Sequence, residues 1–238
     1  MDTLLLTGTI DSSKFNNSMT TLSDVNTRLD HYHSAITKWI KNSDFQKIVF
    51  IENSGYDFNY KKYESIAAKL GKQFEFISAE AFVEETIKYG KSYGEIKIIN
   101  EAVEKSKLLK DEDSFYKCTG RLFIKNCNSI LKEKHKSDTV FSGIPSDKWA
   151  FTWFFKVDKE FYKKYLSETY KEVDDYNGIF MEHIYYKILS ANLDKIDTFY
   201  RYPNVEGVSA GTNSPYHSGF IRYLFKNIQV KRGFFGIK

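Results

Sequence analysis

The segment Ser114–Asn126, SFYKCTGRLFIKN, places cationic side chains beside a glycine in the middle of an apolar run. An ammonium or guanidinium group next to a backbone without a side chain can bind an anionic group such as a phosphate. The same pattern also fits a strand with a glycine bulge and two solvated cations. We expect Lys117, Thr119, Gly120 and Arg121 to contact the anionic part of a ligand.

The segment GKSYGE, residues 90–95, leads into a predicted helix that spans Glu95–Leu109. The first turn of a helix carries unpaired N–H groups and a positive dipole, which suit a phosphate or a ribose hydroxyl. Gly94 and Glu95 are therefore candidate ligand-binding residues. Alternatively, Glu95 only complements the helix dipole.

Three carboxylates in the second half of the chain are candidates for a general base. Glu182 lies near the start of a predicted helix, Ile179–Leu193, and Asp174 and Asp175 lie in the loop before it. A carboxylate in such a place can remove a proton from an acceptor hydroxyl. An outward-facing glutamate and an ordinary Asp-Asp turn are the alternatives.

The loop Gly207–Ser214, GVSAGTNS, offers hydroxyl groups and flexible backbone. Such a loop can close over a substrate as a lid. Ser209, Gly211 and Thr212, with His217 just beyond, are the candidate acceptor or lid residues. An exposed connecting loop is the alternative.

The sequence lacks the common cofactor and metal motifs. There is no Walker P-loop, no GxGxxG after the first predicted strand, and no HExxH. Asp111 and Asp113 form the chain's Asp-x-Asp pattern, but they precede a predicted strand, so we expect a solvated loop. No metal ligand is predicted, and a Mg²⁺ or Mn²⁺ site has no convincing sequence support.

Composition sets further bounds. A formal charge of +4 and the lack of a nucleic-acid motif argue against a nucleic-acid partner. Cys118 and Cys127, without CxxC spacing, predict a reduced cytoplasmic protein. No apolar window reaches transmembrane length. The basic and aromatic segment Arg222–Lys238 fits either peripheral contact with an anionic membrane or a final amphipathic helix.

The predicted elements of residues 1–126 follow the order β-α-β-α-β-α-α-β. The second and third strands are predicted at Lys47–Glu52 and Gln73–Ser78. The first helix is predicted to be N-capped by Ser23, with an apolar face that leaves Arg28 on the surface. This order predicts a mostly parallel sheet with helices on both faces. Ligands on such sheets bind at the carboxyl ends of the strands. Those ends are predicted at Thr7–Asp11, Asn53–Gly55, Ser78–Glu80 and Thr119–Arg121.

Residues 127–238 are less regular, and we expect them to complete a single domain. Their predicted strands are 139–144, 149–157 and 198–202, and their predicted helices are 159–173, 179–193 and 216–228.

Five segments together resemble a known class of enzyme. They are LLLTGTID (4–11), DVNTRLDHYHSAITKWI (24–40), IVFIENSGYD (48–57), GKSYGEIKIINEAVEKS (90–106) and FYKCTGRLFIKN (115–126). The chain resembles bacterial GT-A-type glycosyltransferases, and more narrowly the small transferases of lipopolysaccharide O-antigen and capsule biosynthesis. The resemblance implies an α/β, GT-A-like fold with a Rossmann-type, mostly parallel central sheet and a C-terminal acceptor-binding portion.

The resemblance also implies roles for residues. The nucleotide would contact the ends of the first two strands, and the helix opened by Gly94 and Glu95 would lie beside the donor. The residues expected at the strand ends are Thr7, Gly8, Thr9 and Asn53.

GT-A enzymes commonly carry a metal-binding Asp-x-Asp where this chain has Thr119–Arg121. We therefore expect Lys117 or Arg121 to neutralise the leaving diphosphate. Either the enzyme works without a bound metal, or its metal ligands come from elsewhere in the chain. The best match to the base of inverting members is Glu182, ahead of Asp174 and Asp175.

The implied activity is transfer of a sugar, most often from a UDP-sugar, to a hydroxyl of a growing, lipid-linked bacterial surface glycan. Such an enzyme would be a hexosyltransferase-type protein in the cytoplasm, in peripheral contact with the membrane. The alternatives are a non-catalytic nucleotide- or glycan-binding subunit and a transferase of a non-sugar group from a nucleotide donor.

Overall fold

The computed structural model describes residues 2–16, 20–209, 211, 213–216, 223 and 226–228. The strands in these ranges are β1 (Thr3–Gly8), β2 (Lys47–Glu52), β3 (Gln73–Ser78), β4 (Ser114–Thr119), β5 (Phe123–Ile124), β6 (Val140–Phe141), β7 (Gly143–Ile144), β8 (Trp149–Ala150), β9 (Phe154–Asp158), β10 (Asp197–Thr198) and β11 (Val205–Glu206). The α-helices are α1 (Val25–Asn42), α2 (Lys61–Lys69), α3 (Val83–Tyr89), α4 (Lys91–Lys105), α5 (Cys127–Ile130), α6 (Lys159–Phe161) and α7 (Met181–Ser190).

A central sheet has the strand order β10-β6-β9-β4-β1-β2-β3. Strands β1, β2, β3 and β4 are parallel, and β9 runs antiparallel to both β4 and β6. The prediction of a mostly parallel central sheet flanked by helices is confirmed. The strands that carry the predicted ligand-binding ends are neighbours in this sheet.

Helices cover both faces of the sheet. Alternate residues of a strand point to opposite faces, so one strand contributes to two buried clusters. Leu4 and Leu6 of β1 pack in the same buried cluster as Trp39 of α1. Leu5 packs instead with Ile96 of α4 and Ile184 of α7. The apolar run of β1 is therefore buried on both sides.

The first half follows the predicted pattern closely, with two shifts at helix starts. Strands β2 and β3 have the predicted bounds, whereas the N-cap of α1 is Asp24 rather than Ser23. The Asp24 carboxylate accepts a hydrogen bond from the Thr27 amide at 2.7 Å. Helix α4 begins at Lys91, so Gly94 and Glu95 lie within its first turns rather than before it.

The second half departs further from prediction. The predicted strand 149–157 is interrupted between β8 and β9, and the predicted strand 139–144 is divided into β6 and β7. The predicted helix 159–173 is divided into α6, a π-helical turn at Tyr162–Leu166 and a 3₁₀ turn at Thr169–Lys171. Strand β5 leaves the central sheet and pairs antiparallel with β11.

The predicted closing helix, 216–228, lies mostly outside the described residues. Among the helices that are described, none is both long and apolar enough to cross a membrane.

Candidate functional site

A cavity opens at the carboxyl ends of β1, β2 and β4. Parallel neighbours end at the same edge of a sheet, so residues far apart in the sequence meet there. The predicted donor-binding residues that line this cavity are Thr7, Gly8, Thr9, Asn53, Gly94, Glu95, Thr119 and Arg121. Two other predicted donor-binding residues, Lys117 and Gly120, do not line the cavity. They lie behind it, where Lys117 contacts Glu95 and Gly120 contacts Thr7.

Hydrogen bonds hold the three strand ends together. The Asn53 amide donates to the Gly8 carbonyl at 3.2 Å, and the Gly120 amide donates to the Thr7 carbonyl at 2.8 Å. The Thr9 hydroxyl donates to Asn53 Oδ1 at 2.6 Å. The ends of β1, β2 and β4 therefore form one connected wall.

Close packing explains the two glycines of this wall. A Cβ on Gly8 would lie 2.6 Å from the Phe50 ring. A Cβ on Gly120 would lie 2.8 Å from the Thr7 carbonyl oxygen and 3.1 Å from the Tyr32 ring. Such distances are too short for carbon contacts. The backbone of Gly120 thus approaches protein atoms, whereas the sequence suggested a close approach to a ligand.

The Lys117 ammonium uses its hydrogen-bond donors on acceptors within the protein. Its side chain is 1% exposed, and its nitrogen lies 2.5 Å from Glu95 Oε1 and 2.8 Å from the Thr152 carbonyl oxygen. A weaker bond of 3.4 Å reaches the Thr119 hydroxyl. An ammonium has three N–H donors, so none remains for a ligand. The expectation that Lys117 clamps a diphosphate has no support in this geometry.

Glu95 forms the floor of the cavity and is ionised by its neighbours. Burial opposes the charged form, but the Lys117 ammonium and the Thr7 hydroxyl outweigh burial and lower the pKa of Glu95. The Thr7 hydroxyl donates to Glu95 Oε1 at 2.7 Å. Glu95 is thus a compensated carboxylate.

Arg121 is the predicted cation that does line the cavity. Its side chain is 7% exposed, and Nη1 donates to the Val208 carbonyl at 2.9 Å. Its buried Nε has no hydrogen-bond partner among the described residues. The guanidinium also faces the Tyr32 ring at 6.0 Å. Arg121 therefore keeps donor capacity and charge for an anion.

Two further cations line the cavity and were not predicted. Arg28, expected on the surface, is 4% exposed and donates to the carbonyl groups of Ile10 and Leu22 at 3.0 and 2.9 Å. Its helical spacing from Tyr32 placed it on the buried face of α1, a signal that the sequence contained. Lys91 lines the cavity from the first residue of α4.

The cavity therefore carries excess positive charge. Among the described residues, the ion pairs within 4 Å include none formed by Arg28, Lys91 or Arg121. The carboxylate of Glu95 is already compensated by Lys117. Such a charge balance favours an anionic ligand.

The start of α4 is closed by protein rather than left open. Asp175, which is 2% exposed, accepts a hydrogen bond from the Ser92 amide at 2.9 Å. Gly90 has φ +99° and leaves room for the Asp175 side chain, which a Cβ there would overlap. Asp175 therefore caps the start of α4, while Gly94 and Glu95 line the cavity from the first turns of the same helix.

The two neighbouring aspartates hold local structure. Burial raises the pKa of Asp175, while its bonds to Ser92 lower it. Asp174 accepts from the Asn177 amide at 3.2 Å and from its side-chain amide at 2.7 Å, and so caps a turn. These hydrogen bonds account for both oxygens of Asp174 and for Oδ2 of Asp175, whereas the buried Oδ1 of Asp175 has no hydrogen-bond partner among the described residues.

Glu182 lies in the first turn of α7 and is partly buried. Its Oε1 accepts a hydrogen bond from the Thr152 hydroxyl at 2.8 Å. Burial raises the pKa of Glu182, and Asp175 adds to that rise, whereas Thr152 and Lys91 oppose it. A carboxyl group with a raised pKa is suited to accept a proton near neutral pH.

The predicted lid loop contacts the cavity cations. A Cβ on Gly207, at φ +138°, would lie 2.8 Å from the Arg121 carbonyl oxygen, so the loop packs directly on that turn. The Ser209 amide donates to the Ser214 carbonyl at 2.9 Å. A Cβ on Gly211 would lie 3.3 Å from the Lys91 ammonium. The other two candidates, Thr212 and His217, lie outside the described residues.

A divalent metal does not fit the residues at the end of β4. Mg²⁺ and Mn²⁺ prefer oxygen ligands, especially carboxylates, whereas Thr119–Arg121 supplies a hydroxyl and a guanidinium. In the described ranges, no group of three or more His, Cys, Asp or Glu side chains could hold a metal ion. Within the Asp111–Asp113 segment, Glu112 pairs with Lys47 at 2.5 Å.

Comparison with solved structures identifies similar folds. The glycosyltransferase GlyE of Streptococcus pneumoniae is 7% identical with a TM-score of 0.50, over 83% of this chain and 45% of GlyE. A Bacillus anthracis protein, provisionally named as a glucose-1-phosphate thymidylyltransferase and solved with sucrose, is 11% identical with a TM-score of 0.51, over 100% of this chain and 98% of that one. The galactosyltransferase LgtC, solved with donor and acceptor sugar analogues, is 8% identical over 83% of this chain and 73% of LgtC, but its TM-score of 0.47 is too low for an argument.

No protein-family model and no curated protein matches the sequence. The chain spans less than half the length of GlyE. At these identities a structural similarity establishes the fold alone. The chain has an α/β fold of the GT-A-like type, with a mostly parallel central sheet flanked by helices.

Proposed function

We propose that this chain is a glycosyltransferase that moves a sugar from a nucleoside diphosphate donor to a hydroxyl acceptor. The observation that carries the proposal is the charge of the cavity. Arg28, Lys91 and Arg121 line it, and none of them has a carboxylate within 4 Å among the described residues. A nucleoside diphosphate is a ligand whose charge matches these cations.

The donor would lie along the connected ends of β1, β2 and β4. The paired polar groups of Thr9 and Asn53 are suited to hydrogen-bond the base or ribose. The guanidinium of Arg121, with an unpaired buried Nε, is suited to the diphosphate. We propose a UDP-sugar as the donor.

Glu182 would act as the base. Its ionised carboxylate would take the proton of the acceptor hydroxyl as that oxygen forms a bond to the anomeric carbon. The bond from the anomeric carbon to the diphosphate oxygen would break, and its electron pair would leave with the nucleoside diphosphate. Arg121 and Lys91 would stabilise the added charge. Asp174 uses both carboxylate oxygens to cap a turn, and Asp175 is only 2% exposed, so both are weaker candidates.

The acceptor would lie between Glu182 and the loop that contains Ser209 and Gly211. We propose a lipid-linked bacterial surface glycan, such as an O-antigen, capsule or lipooligosaccharide precursor. The protein would then act in the cytoplasm at the membrane surface, where the basic C-terminal segment can contact anionic lipids.

A nucleotide panel tests the proposal. Melting temperature is measured with UDP, GDP, CMP, dTDP and their sugars, because ligand occupancy stabilises the folded state. We expect one nucleoside diphosphate to stabilise strongly, and its sugar to release that nucleotide when acceptor glycans are added. Stabilisation without release would favour a non-catalytic binding subunit. Silence across the panel would contradict the proposed donor site.

Nucleotidyl transfer is the second candidate, favoured by the nearly full-length similarity to the Bacillus anthracis protein. In that reaction a sugar 1-phosphate attacks the α-phosphorus of a nucleoside triphosphate and pyrophosphate leaves. Incubation with dTTP or UTP and glucose 1-phosphate, followed by assay of pyrophosphate, separates the two. Pyrophosphate release would replace the glycosyltransferase proposal.

A further inference from the structure

We propose that Lys117 and Thr152 are positioning residues that hold the Glu182 carboxylate in a fixed relation to Glu95, the floor of the cavity. The catalytic part of this inference rests on the proposed function. The structural part concerns this chain's own side chains and can be measured without a substrate.

A continuous chain of polar contacts joins the two carboxylates. The Lys117 ammonium lies 2.5 Å from Glu95 Oε1 and donates to the Thr152 carbonyl oxygen at 2.8 Å. The Thr152 hydroxyl then donates to Glu182 Oε1 at 2.8 Å. One residue, Thr152, thus accepts from the ammonium with its backbone and donates to the proposed base with its side chain.

These contacts join four separate parts of the fold. Glu95 belongs to α4, Lys117 to β4, and Glu182 to α7, while Thr152 lies in the break between β8 and β9. The break therefore permits the contact between the Thr152 carbonyl and Lys117. A regular strand would pair the Thr152 carbonyl within the sheet, whereas the break turns that carbonyl to the ammonium.

Burial makes the arrangement rigid. Lys117 is 1% exposed, and Thr152 is 7% exposed. A buried ammonium must keep its acceptors, because water cannot replace them. The Thr152 backbone is consequently fixed, and its hydroxyl has a defined direction toward Glu182. A base held in this way needs no reorganisation before it accepts a proton.

Other charged groups also act on Glu182, and the test must separate them. Lys91 on α4 and Asp175 in the capping turn shift its pKa in opposite directions. Tyr185 on α7 and Tyr216 beyond the lid loop also interact with it electrostatically. The test variants leave these four residues unchanged.

The first measurement is the titration of the Glu182 carboxyl carbon by NMR in ¹³C-glutamate-labelled protein, assigned with Glu182→Gln. Thr152→Val removes the donor hydroxyl at constant volume, so we expect the midpoint to rise. Thr152→Ser keeps a hydroxyl and should retain the parent midpoint. Thr3→Val is the matched control, because Thr3 is a buried threonine at the opposite end of β1.

The second measurement tests whether Lys117 helps to position Glu182. The double variant Glu95→Gln, Lys117→Met removes one negative and one positive charge together, so a shift in the Glu182 midpoint reports positioning rather than net charge. We expect an upward shift. Adding Thr152→Val to this pair should shift the midpoint no further than Thr152→Val alone, because both changes break one chain. Additive shifts, or no shift, would overturn the proposal.

The kinetic readout connects the inference to catalysis. With the donor identified by the nucleotide panel, Thr152→Val should lower kcat by about tenfold or more, the value of a hydrogen bond to a charged group. The KM for the donor should not change, and the acidic limb of the pH profile should move to higher pH. An altered midpoint with unaltered kcat would reject Glu182 as the base and leave the positioning intact. A parent protein without nucleotide binding would reject the proposed function, while the titration would still decide the positioning.

Discussion

The carboxylate of Glu95 and the ammonium of Lys117 are 2.5 Å apart beneath the cavity. The lysine two residues before Thr119–Arg121 therefore neutralises a carboxylate of the protein itself. Breaking this pair is costly on the lysine side, because the Lys117 side chain is 1% exposed whereas that of Glu95 is 28% exposed. The available positive charge of the cavity consequently comes from Arg28, Lys91 and Arg121.

Breaking that pair should destabilise the fold. We expect Lys117→Met to lower the free energy of unfolding by about 1–3 kcal/mol, since the Thr152 carbonyl loses its donor and the partly exposed Glu95 loses its counter-charge. Denaturant unfolding measures the change. Lys163→Met is the matched control, because Lys163 forms an exposed pair with Glu160 and should change stability by less than about 1 kcal/mol. Similar losses in the two variants would contradict the structural role of Lys117.

Arg121 should dominate the affinity for a diphosphate. Arg121→Gln is expected to weaken nucleoside diphosphate binding on the order of tenfold to 100-fold, because a charge-assisted hydrogen bond is lost. Isothermal titration calorimetry measures the dissociation constant. The control is Arg201→Gln, at an exposed arginine that pairs with Glu133 away from the cavity. Equal affinities for Arg121→Gln and the parent would remove Arg121 from the site.

Gly120 should tolerate no side chain, for reasons of packing. The added carbon of Gly120→Ala would press on the Thr7 carbonyl and the Tyr32 ring, so we expect a loss of about 1–3 kcal/mol in the free energy of unfolding. Gly71→Ala is a useful comparison, because Gly71 has φ +71° with no atom near its absent Cβ. A loss at Gly120 with unchanged nucleotide affinity per folded molecule would support a packing role over a ligand contact.

Glu182 should reduce stability at neutral pH. Its pKa in the folded protein is raised chiefly by burial, so the folded state binds its proton more tightly than the unfolded state does. Stability therefore falls as pH rises from the unfolded to the folded pKa. Glu182→Gln is expected to melt at a higher temperature than the parent above this window, and the difference should shrink at acidic pH.

The control for that measurement is Glu160→Gln. Glu160 is exposed, so its substitution should leave the melting temperature nearly unchanged at every pH. A parent and a Glu182→Gln variant with parallel curves from acidic to neutral pH would show that the carboxyl titrates normally.

Turnover should persist without divalent metal. The end of β4 provides Arg121 in place of an acidic motif, and cations can neutralise a leaving diphosphate as a metal does. We expect EDTA to leave nucleotide release unchanged when measured with the donor found in the panel. Complete loss in EDTA, restored by Mn²⁺ or Mg²⁺, would require metal ligands outside the residues proposed here.

The sequence was most informative where a local pattern determines structure. Strands β2 and β3 have the predicted bounds because β2 is an apolar segment closed by turn residues and β3 alternates polar and apolar residues. The cavity wall followed from a topological rule, since Thr7, Asn53 and Thr119 end adjacent parallel strands. These expectations needed no knowledge of long-range contacts.

The sequence did not show in the same way which groups the charged side chains would contact. Lys117 and Arg121 look equivalent in the sequence, since both are cations within two residues of Thr119. In the structure Glu95 of α4 neutralises Lys117, whereas Arg121 has no such partner among the described residues. Asp175 reads as a loop residue until α4 is placed beside it. Arg28 was predicted on the surface because it is not one of the apolar residues that form the helical stripe of α1, although its spacing from Tyr32 pointed inward.

The cap that Asp175 places on α4 bears on how such proteins can be recombined. A helix from the first half of the chain depends on a carboxylate from the second half, and the Met181 amide in turn donates to the Ser92 hydroxyl at 3.3 Å. Chimeras that exchange residues 127–238 between homologues would therefore have to preserve this pair of reciprocal contacts.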